Sequence, residues 1–168
     1  FSITNSFTVG ALSLTEQSLK NQKAEVNFRR KVASVQTNPE KDSAEAIALQ
    51  NMLKDRAKKT KRQMLMLKEK QILLSPYIEL GAERCQRSLV MENELDAHGA
   101  SVDISFETLK SCEYHSKKLA KPNLPIRICC DANNLPFKRN SIPFVFCYQT
   151  LHHFPDVNTV IQQVHRVL

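Results

Sequence analysis

The sequence predicts an α/β protein: a parallel sheet with helices on both faces, preceded by a helical N-terminal segment. Three observations carry this. From Ser75 onward, short apolar runs alternate with helical stretches, the signature of repeated strand–helix–strand units. The run Tyr77-Ile78-Glu79-Leu80 ends at Gly81 and leads into helix-forming sequence, as a strand, a tight turn and a helix N-terminus do in a nucleotide-binding corner. The residues before that run read as helix and hold all of the net positive charge.

Residues 1–12 carry no clear signal. Ser13 and Glu16 form a Ser-x-x-Glu capping box that opens a helical stretch to about Gln36. Asn38-Pro39 stops it, because the residue before proline avoids helical geometry. Ser43 caps a long second helix to roughly Leu73, with Ala46, Leu49, Leu53, Ala57, Met64 and Leu67 as its apolar stripe. A first strand at Pro76–Leu80 follows, then a helix over 86–97, with His98-Gly99 closing it at the position glycine favours. A second strand covers 100–104, a helix runs from Ser105 or Phe106 to Leu119, and a loop spans Pro122 to Pro125. The third strand covers 126–130 and ends at Asp131. The fourth, 142–148, is apolar enough to be central, and a final helix runs from Asp156 or Asn158 to Leu168. The expected division is a basic helical segment over 1–74 and an α/β domain over 75–168.

Composition narrows the classes. Hydrophobic content of 42% and charged content of 24% suit a soluble globular chain of 168 residues. No apolar run is long enough to span a bilayer, and the N-terminus has no signal-sequence pattern. The chain begins at Phe1 and stops inside a helical pattern, so it is expected to be a fragment at both ends. Five cysteines without a Cys-x-x-Cys pair argue against a disulfide framework or a zinc site and for a reducing, cytoplasmic setting. Residues 1–75 hold 14 Lys and Arg against 7 Asp and Glu, whereas the rest of the chain holds ten of each. Lys54, Arg56, Lys58, Lys59, Lys61, Arg62, Lys68 and Lys70 lie on the second helix. Residues 54–70 read either as a phosphate-tracking surface for RNA or another acidic partner, or as the solvated face of a docking helix. Interleaved aromatic residues for base stacking are missing, which favours the second reading.

In such a sheet a ligand sits beyond the carboxyl ends of the strands, where strand order reverses. Asp103 lies 22 positions after Gly81, the spacing at which an acid ending the second strand accepts hydrogen bonds from ribose hydroxyls. Asp131-Ala132 stands at the third strand end, and Tyr148 at the fourth.

Six segments extend this pattern. They are Ile78-Glu79-Leu80-Gly81, Val102-Asp103-Ile104-Ser105, Asp131-Ala132-Asn133-Asn134-Leu135-Pro136-Phe137, Asn140-Ser141-Ile142, Leu151-His152-His153-Phe154 and Val164-His165-Arg166-Val167-Leu168. In this order and spacing, residues 76–168 resemble the class I S-adenosylmethionine-dependent methyltransferases, a Rossmann-like fold, and most of all the branch with the quinone-biosynthesis enzymes. The family's last segment runs into a Lys-Pro-Gly-Gly turn, and this chain stops one residue before it. The resemblance implies S-adenosylmethionine as cofactor. It places Glu79, Gly81 and Ala82 at the methionine and ribose end, Asp103 with Ile104 at the ribose, and Asp131 with Ala132 at the adenine. Tyr148 to His153 would line the methyl group and acceptor. His152 or His153 would be the general base if the acceptor must lose a proton. The alternative for the two histidines is that they only hold the loop. A segment of the Asn/Asp-Pro-Pro-Tyr/Phe type is absent after the fourth strand, which argues against a DNA-adenine or protein-glutamine acceptor and favours a small molecule.

The chain departs from the family in three ways. Its turn reads Gly81-Ala82-Glu83-Arg84-Cys85 where the family has Gly-x-Gly-x-Gly, so side chains stand at the second and third glycine positions. Pro143 replaces the acid that usually opens the fourth strand. The later strands of the family sheet lie past Leu168, which would leave the fourth strand as an apolar edge. The leading expectation is a methyltransferase. The alternative is an inactive module on the same fold that binds partners through its basic helices. A nicotinamide-dependent dehydrogenase fits less well, because it has no place for the 131–137 and 151–153 segments.

Overall fold

In the computed structural model, residues 8–9, 23–24, 26–27 and 44–168 are described. Five parallel strands form one sheet: β1 (Thr8–Val9), β2 (Tyr77–Leu80), β3 (Gly99–Asp103), β4 (Ile126–Cys129) and β5 (Phe144–Cys147). Their spatial order is β1-β4-β3-β2-β5. The helices are α1 (Ala44–Glu69), α2 (Gln86–Glu94), α3 (Phe106–Lys110), α4 (Cys112–Leu119) and α5 (Val157–Val167). The expected parallel sheet with helices on both faces is present. The helix expected over 13–36 lies outside the described residues apart from 23–24 and 26–27, which are helical. So do its Ser13–Glu16 box and the Ser43 cap.

All four residues of β2 are buried, as a strand covered on both faces requires. Its alternation divides them. Ile78 and Leu80 join Val102, Ala132, Leu135, Ile142, Val160 and Val167 on the α5 face. Tyr77 points the other way, into Met64 of α1, Val90 and Met91 of α2, and Leu74, Leu95 and Ala97 of the loops that follow those helices. A third cluster, Ala82, Cys85, Leu89, Leu109 and Cys112, packs the turn and α2 against α3 and α4. Val160, Val164 and Val167 recur at helical spacing and give α5 its inner stripe. Asp156 caps that helix, accepting from Thr159 N at 3.0 Å and Thr159 Oγ1 at 2.6 Å.

Several details correct the sequence reading. Helix α2 ends at Glu94, not near Ala97, and Asp96, with φ +51°, takes the left-handed position expected of a glycine. Gly99 instead opens β3 opposite Tyr77, where a Cβ would lie 2.6 Å from the Tyr77 ring. The helix expected to run unbroken to Leu119 is interrupted at Ser111, whose hydroxyl donates to the Thr108 carbonyl at 2.6 Å and competes with the helical ladder. Residues 1–12 were silent in sequence, yet Thr8–Val9 pairs with β4. On α1, Leu53 and Met64 are buried and Ala57 and Leu67 half-buried, as expected. Thr60 is buried among them, its hydroxyl satisfied by the Arg56 carbonyl at 2.9 Å. β5 is not central among the described residues: it pairs with β2 alone, and its four residues are half-buried. Pro143 precedes the first paired residue, Phe144, so it removes no ladder bond.

Candidate functional site

The strand order locates the crevice. From β2 the chain crosses to β3 and β4 on one side, then returns to β5 on the other. The order therefore reverses between β2 and β5, and a ligand belongs over the carboxyl ends there. The residues that collect at those ends are Gly81, Asp103, Asp131 and Tyr148–His153.

Asp103 is the best-held of these. Its Oδ2 accepts from Glu83 N at 2.8 Å and its Oδ1 from Ser105 N at 2.9 Å. The carboxylate is thus clamped between the turn after β2 and the start of α3, with Ile104 half-buried beside it. Asp131 is fixed one strand further on. Its Oδ1 accepts from Asn133 N at 2.9 Å and Asn133 Nδ2 at 3.0 Å, and Ala132 is buried beneath it.

The turn keeps its shape despite its side chains. Gly81, Glu83 and Cys85 have φ of +63°, +47° and +57°. Left-handed backbone therefore occurs at the three positions where the glycine pattern would call for it. The Cys85 side chain leaves the crevice and packs in the third apolar cluster. Ala82 N donates to Val102 O at 3.0 Å, which ties the turn to β3.

Glu79 does not line the crevice. It is buried under the turn, where Oε2 accepts from Ser88 N at 3.1 Å and Ser88 Oγ at 2.6 Å. Ser101 Oγ donates to Ser88 Oγ at 2.7 Å. The N-cap residue of α2, Cys85, makes no side-chain cap bond, so Glu79 supplies the acceptor from the neighbouring strand. Burial pushes its carboxyl up to about 7, against the Ser88 bonds and the Arg87 charge.

Tyr148 is exposed and lies under Arg87, whose guanidinium sits 3.8 Å from the ring centroid. His152 and His153 are exposed on a single 3₁₀ turn (Leu151–His153), with ring centroids 4.1 Å apart. Neither histidine has an orienting hydrogen bond to its ring among the described residues. The structure brings Gly81, Ala82, Asp103, Ile104, Asp131 and Ala132 to one line of strand ends. It leaves Glu79 below that line and the histidines at its rim.

Sequence reasoning missed Ser88, which holds Glu79, Ser101, which donates to Ser88, Arg87 and the part played by Asn133, whereas Thr150, inside the expected Tyr148–His153 segment, is buried against Gly81. That segment was open to detection, because it follows the β5 carboxyl end. The serines were not, because only the packed α2–β3 contact brings them to Glu79.

A cofactor with an adenine and a ribose fits these donors and acceptors. Asp103 and Asp131 are acceptors on adjacent strand ends. The Asn133 amide oxygen is buried and accepts nothing within the protein, so a donor on a bound base would be matched there. No cluster of three or more His, Cys, Asp or Glu among the described residues could hold a metal. No described helix is long and apolar enough to cross a membrane. The cations of α1 are exposed except for half-buried Arg56, and Lys61 pairs with Glu94 at 3.0 Å.

Residues 78–168, more than half of the chain, match the family described as a methyltransferase domain. The chain belongs to that family, the class I S-adenosylmethionine-dependent methyltransferases, whose cofactor is S-adenosylmethionine. Similar solved structures include the YcgJ protein of Bacillus subtilis, 24% identical, with 62% of this chain and 44% of that chain covered and a TM-score of 0.51. A putative S-adenosylmethionine-dependent methyltransferase of Methanococcus maripaludis is 14% identical, with 71% and 58% covered and a TM-score of 0.56. The magnesium protoporphyrin IX methyltransferase of Synechocystis PCC 6803, solved with bound S-adenosylmethionine, is 14% identical, with 89% and 73% covered and a TM-score of 0.57. At these identities the likeness is one of fold. The chain spans about 44% of the length of the first of these structures and 58% of the second. No curated protein matches it.

Proposed function

We propose that this chain carries the cofactor half of a methyltransferase acting on a small-molecule acceptor. The reading rests on the clamped Asp103 carboxylate, held from both sides at a strand end next to the point where strand order reverses. Each of its oxygens accepts a backbone N–H, and a carboxylate has acceptor sites enough to take a ribose hydroxyl as well. Asp131, with Ala132 and Asn133, takes the adenine, Ile104 flanks the ribose, and Gly81 with Ala82 gives the close backbone approach. Glu79 acts indirectly, by holding α2 and the turn in place through Ser88.

Bound cofactor supplies an already activated methyl group on a sulfonium, so the chain's task is alignment and exclusion of water. Tyr148, anchored by Arg87, forms the wall on the acceptor side. His152 or His153 removes a proton where the acceptor has one to lose. The exposed cations of α1 have no aromatic residue on that helix to stack bases, and a small acceptor is the better fit.

Titration of the chain with S-adenosylmethionine by calorimetry tests this. Asp103→Ala should weaken binding by about 1–3 kcal/mol, the value of hydrogen bonds to a charged group. Unchanged affinity in that variant would remove Asp103 from the ribose site. No binding to the unaltered chain at millimolar cofactor would leave a partner-binding module on a methyltransferase fold.

A further inference from the structure

Arg87 lies in the first turn of α2, and its guanidinium sits 3.8 Å from the centre of the Tyr148 ring. Tyr148 follows the last residue of β5 and is 41% exposed, while Arg87 is half-buried. The pair therefore reaches solvent at the carboxyl end of the sheet, beside the reversal of strand order. A contact over a ring engages the flat face of the guanidinium and leaves its N–H donors pointing outward in the plane. No hydrogen bond or ion pair among the described residues takes them. Arg56 approaches from α1. Lys61 pairs with Glu94 at 3.0 Å, and Leu65 and Lys68 share a cleft with residues 92–96, so α1 runs beside α2 in the same sense. Its earlier turns stand beside the start of α2, where Arg56 is half-buried and likewise has no ion pair among the described residues. Burial lowers the Arg87 guanidinium and the Arg56 charge lowers it further, against the charges of Glu79 and Glu83. Two like charges held half-buried side by side cost free energy, and a bound anion would offset it.

We infer that Arg56 and Arg87 bind an oxyanion on the methyl acceptor, a carboxylate or a phosphate group. The inference deepens the proposed function and rests on it, because Tyr148 is the wall on the acceptor side. An arginine fork matches either group with two parallel N–H···O bonds. Cations from two helices approach the anion from two sides. The contact with Tyr148 holds the Arg87 fork in place before the acceptor arrives, so less order is lost on binding. An acceptor with a cation at the same position would meet both guanidiniums and be repelled, which gives the site its selectivity.

The test uses the chain loaded with S-adenosylhomocysteine and two probes, inorganic phosphate and acetate, at constant ionic strength. Nuclear magnetic resonance follows the Nε–H signals of the arginine side chains. Those of Arg56 and Arg87 should shift together and saturate, and the tighter probe identifies the group as phosphate or carboxylate. Arg56→Gln and Arg87→Gln should each bind that probe roughly tenfold more weakly. Lys58→Gln, which removes an exposed charge from α1, should bind it as the parent does. Arg56→Gln should melt no lower than the parent without probe, because it relieves repulsion and breaks no ion pair; if Arg87→Gln fails to fold, Arg56→Gln decides alone. No saturable shift at the two arginines overturns the inference while leaving the proposed function intact. An equal loss in Lys58→Gln would make the response a property of the whole charge of α1, and a lowered melting temperature in Arg56→Gln would make that arginine a packing residue; either overturns it too. Failure of the parent chain to bind S-adenosylhomocysteine removes the proposed function and this inference together.

Discussion

Replacing Glu79 by glutamine should make the protein more stable at pH 8 and no more stable at pH 4. Glu79 is 2% exposed, and burial raises its carboxyl from 4.5 to about 7 in the folded state. Between those values the folded chain holds a proton that the unfolded chain has released. Folding is therefore favoured below pH 4.5, and that advantage is lost as pH rises through 7. A shift of this size corresponds to about 3 kcal/mol, at 1.36 kcal/mol per unit. Glutamine carries no charge to bury, and its carbonyl still accepts from Ser88 N and Oγ. Its amide must find its own partner, which reduces the gain to about 1–3 kcal/mol at pH 8. Urea unfolding of both proteins at unit steps from pH 4 to 8 would measure it. The stability difference should grow between pH 4.5 and 7. A difference that stays flat with pH would mean that Glu79 ionises normally and that its burial is not the controlling cost.

Two other substitutions follow from the same structure. Burial, together with the Arg84 charge, lowers His115 to about 4 from its ordinary 6.5, so its contribution is present above pH 6.5 and lost as pH falls towards 4. His115→Phe should therefore lose up to about 2–3 kcal/mol less than the parent on going from pH 7 to pH 4 by urea unfolding; an identical acid limb would refute this. The parent protein should show only a shallow pH dependence near pH 5–6, because the Glu79 and His115 slopes oppose each other there. Glu83 is half-buried with φ +47°, so Glu83→Gly should be more stable than Glu83→Ala by about 1 kcal/mol in thermal unfolding, the reverse of the usual order. An Ala variant as stable as the Gly variant would show that the left-handed backbone at this position costs nothing.

Much of the fold was legible because burial imposes simple patterns. Tyr77–Leu80 reads as a strand because both faces are covered, and the α5 stripe reads as a helix because one face is. Asp103 and Asp131 were legible as strand-ending acids, since chain spacing alone puts them at neighbouring strand ends. The turn was legible only in part. Glu83 and Cys85 put side chains at the second and third glycine positions, yet both residues hold positive φ. Residue type indicates which conformations are cheap, whereas the packed structure decides which are paid for. Glu79 shows a different limit. It appeared to belong at the ligand, but its side chain alternates inward, to Ser88 and Ser101.

By itself, the sequence determined the class of fold, the family and the order of the strand-ending acids. Those depend on periodicity and on spacing along one chain, which local interactions set. Only the tertiary structure decided the rest: that Glu79 caps α2 from a neighbouring strand, that Asp103 is clamped by two backbone amides, and that Thr150 lies against Gly81. Each of these joins residues from different elements, Glu79 to Ser88, Asp103 to Glu83 and Gly81 to Thr150. Contacts of that kind come from how the strands order themselves in the sheet, and no local pattern encodes them.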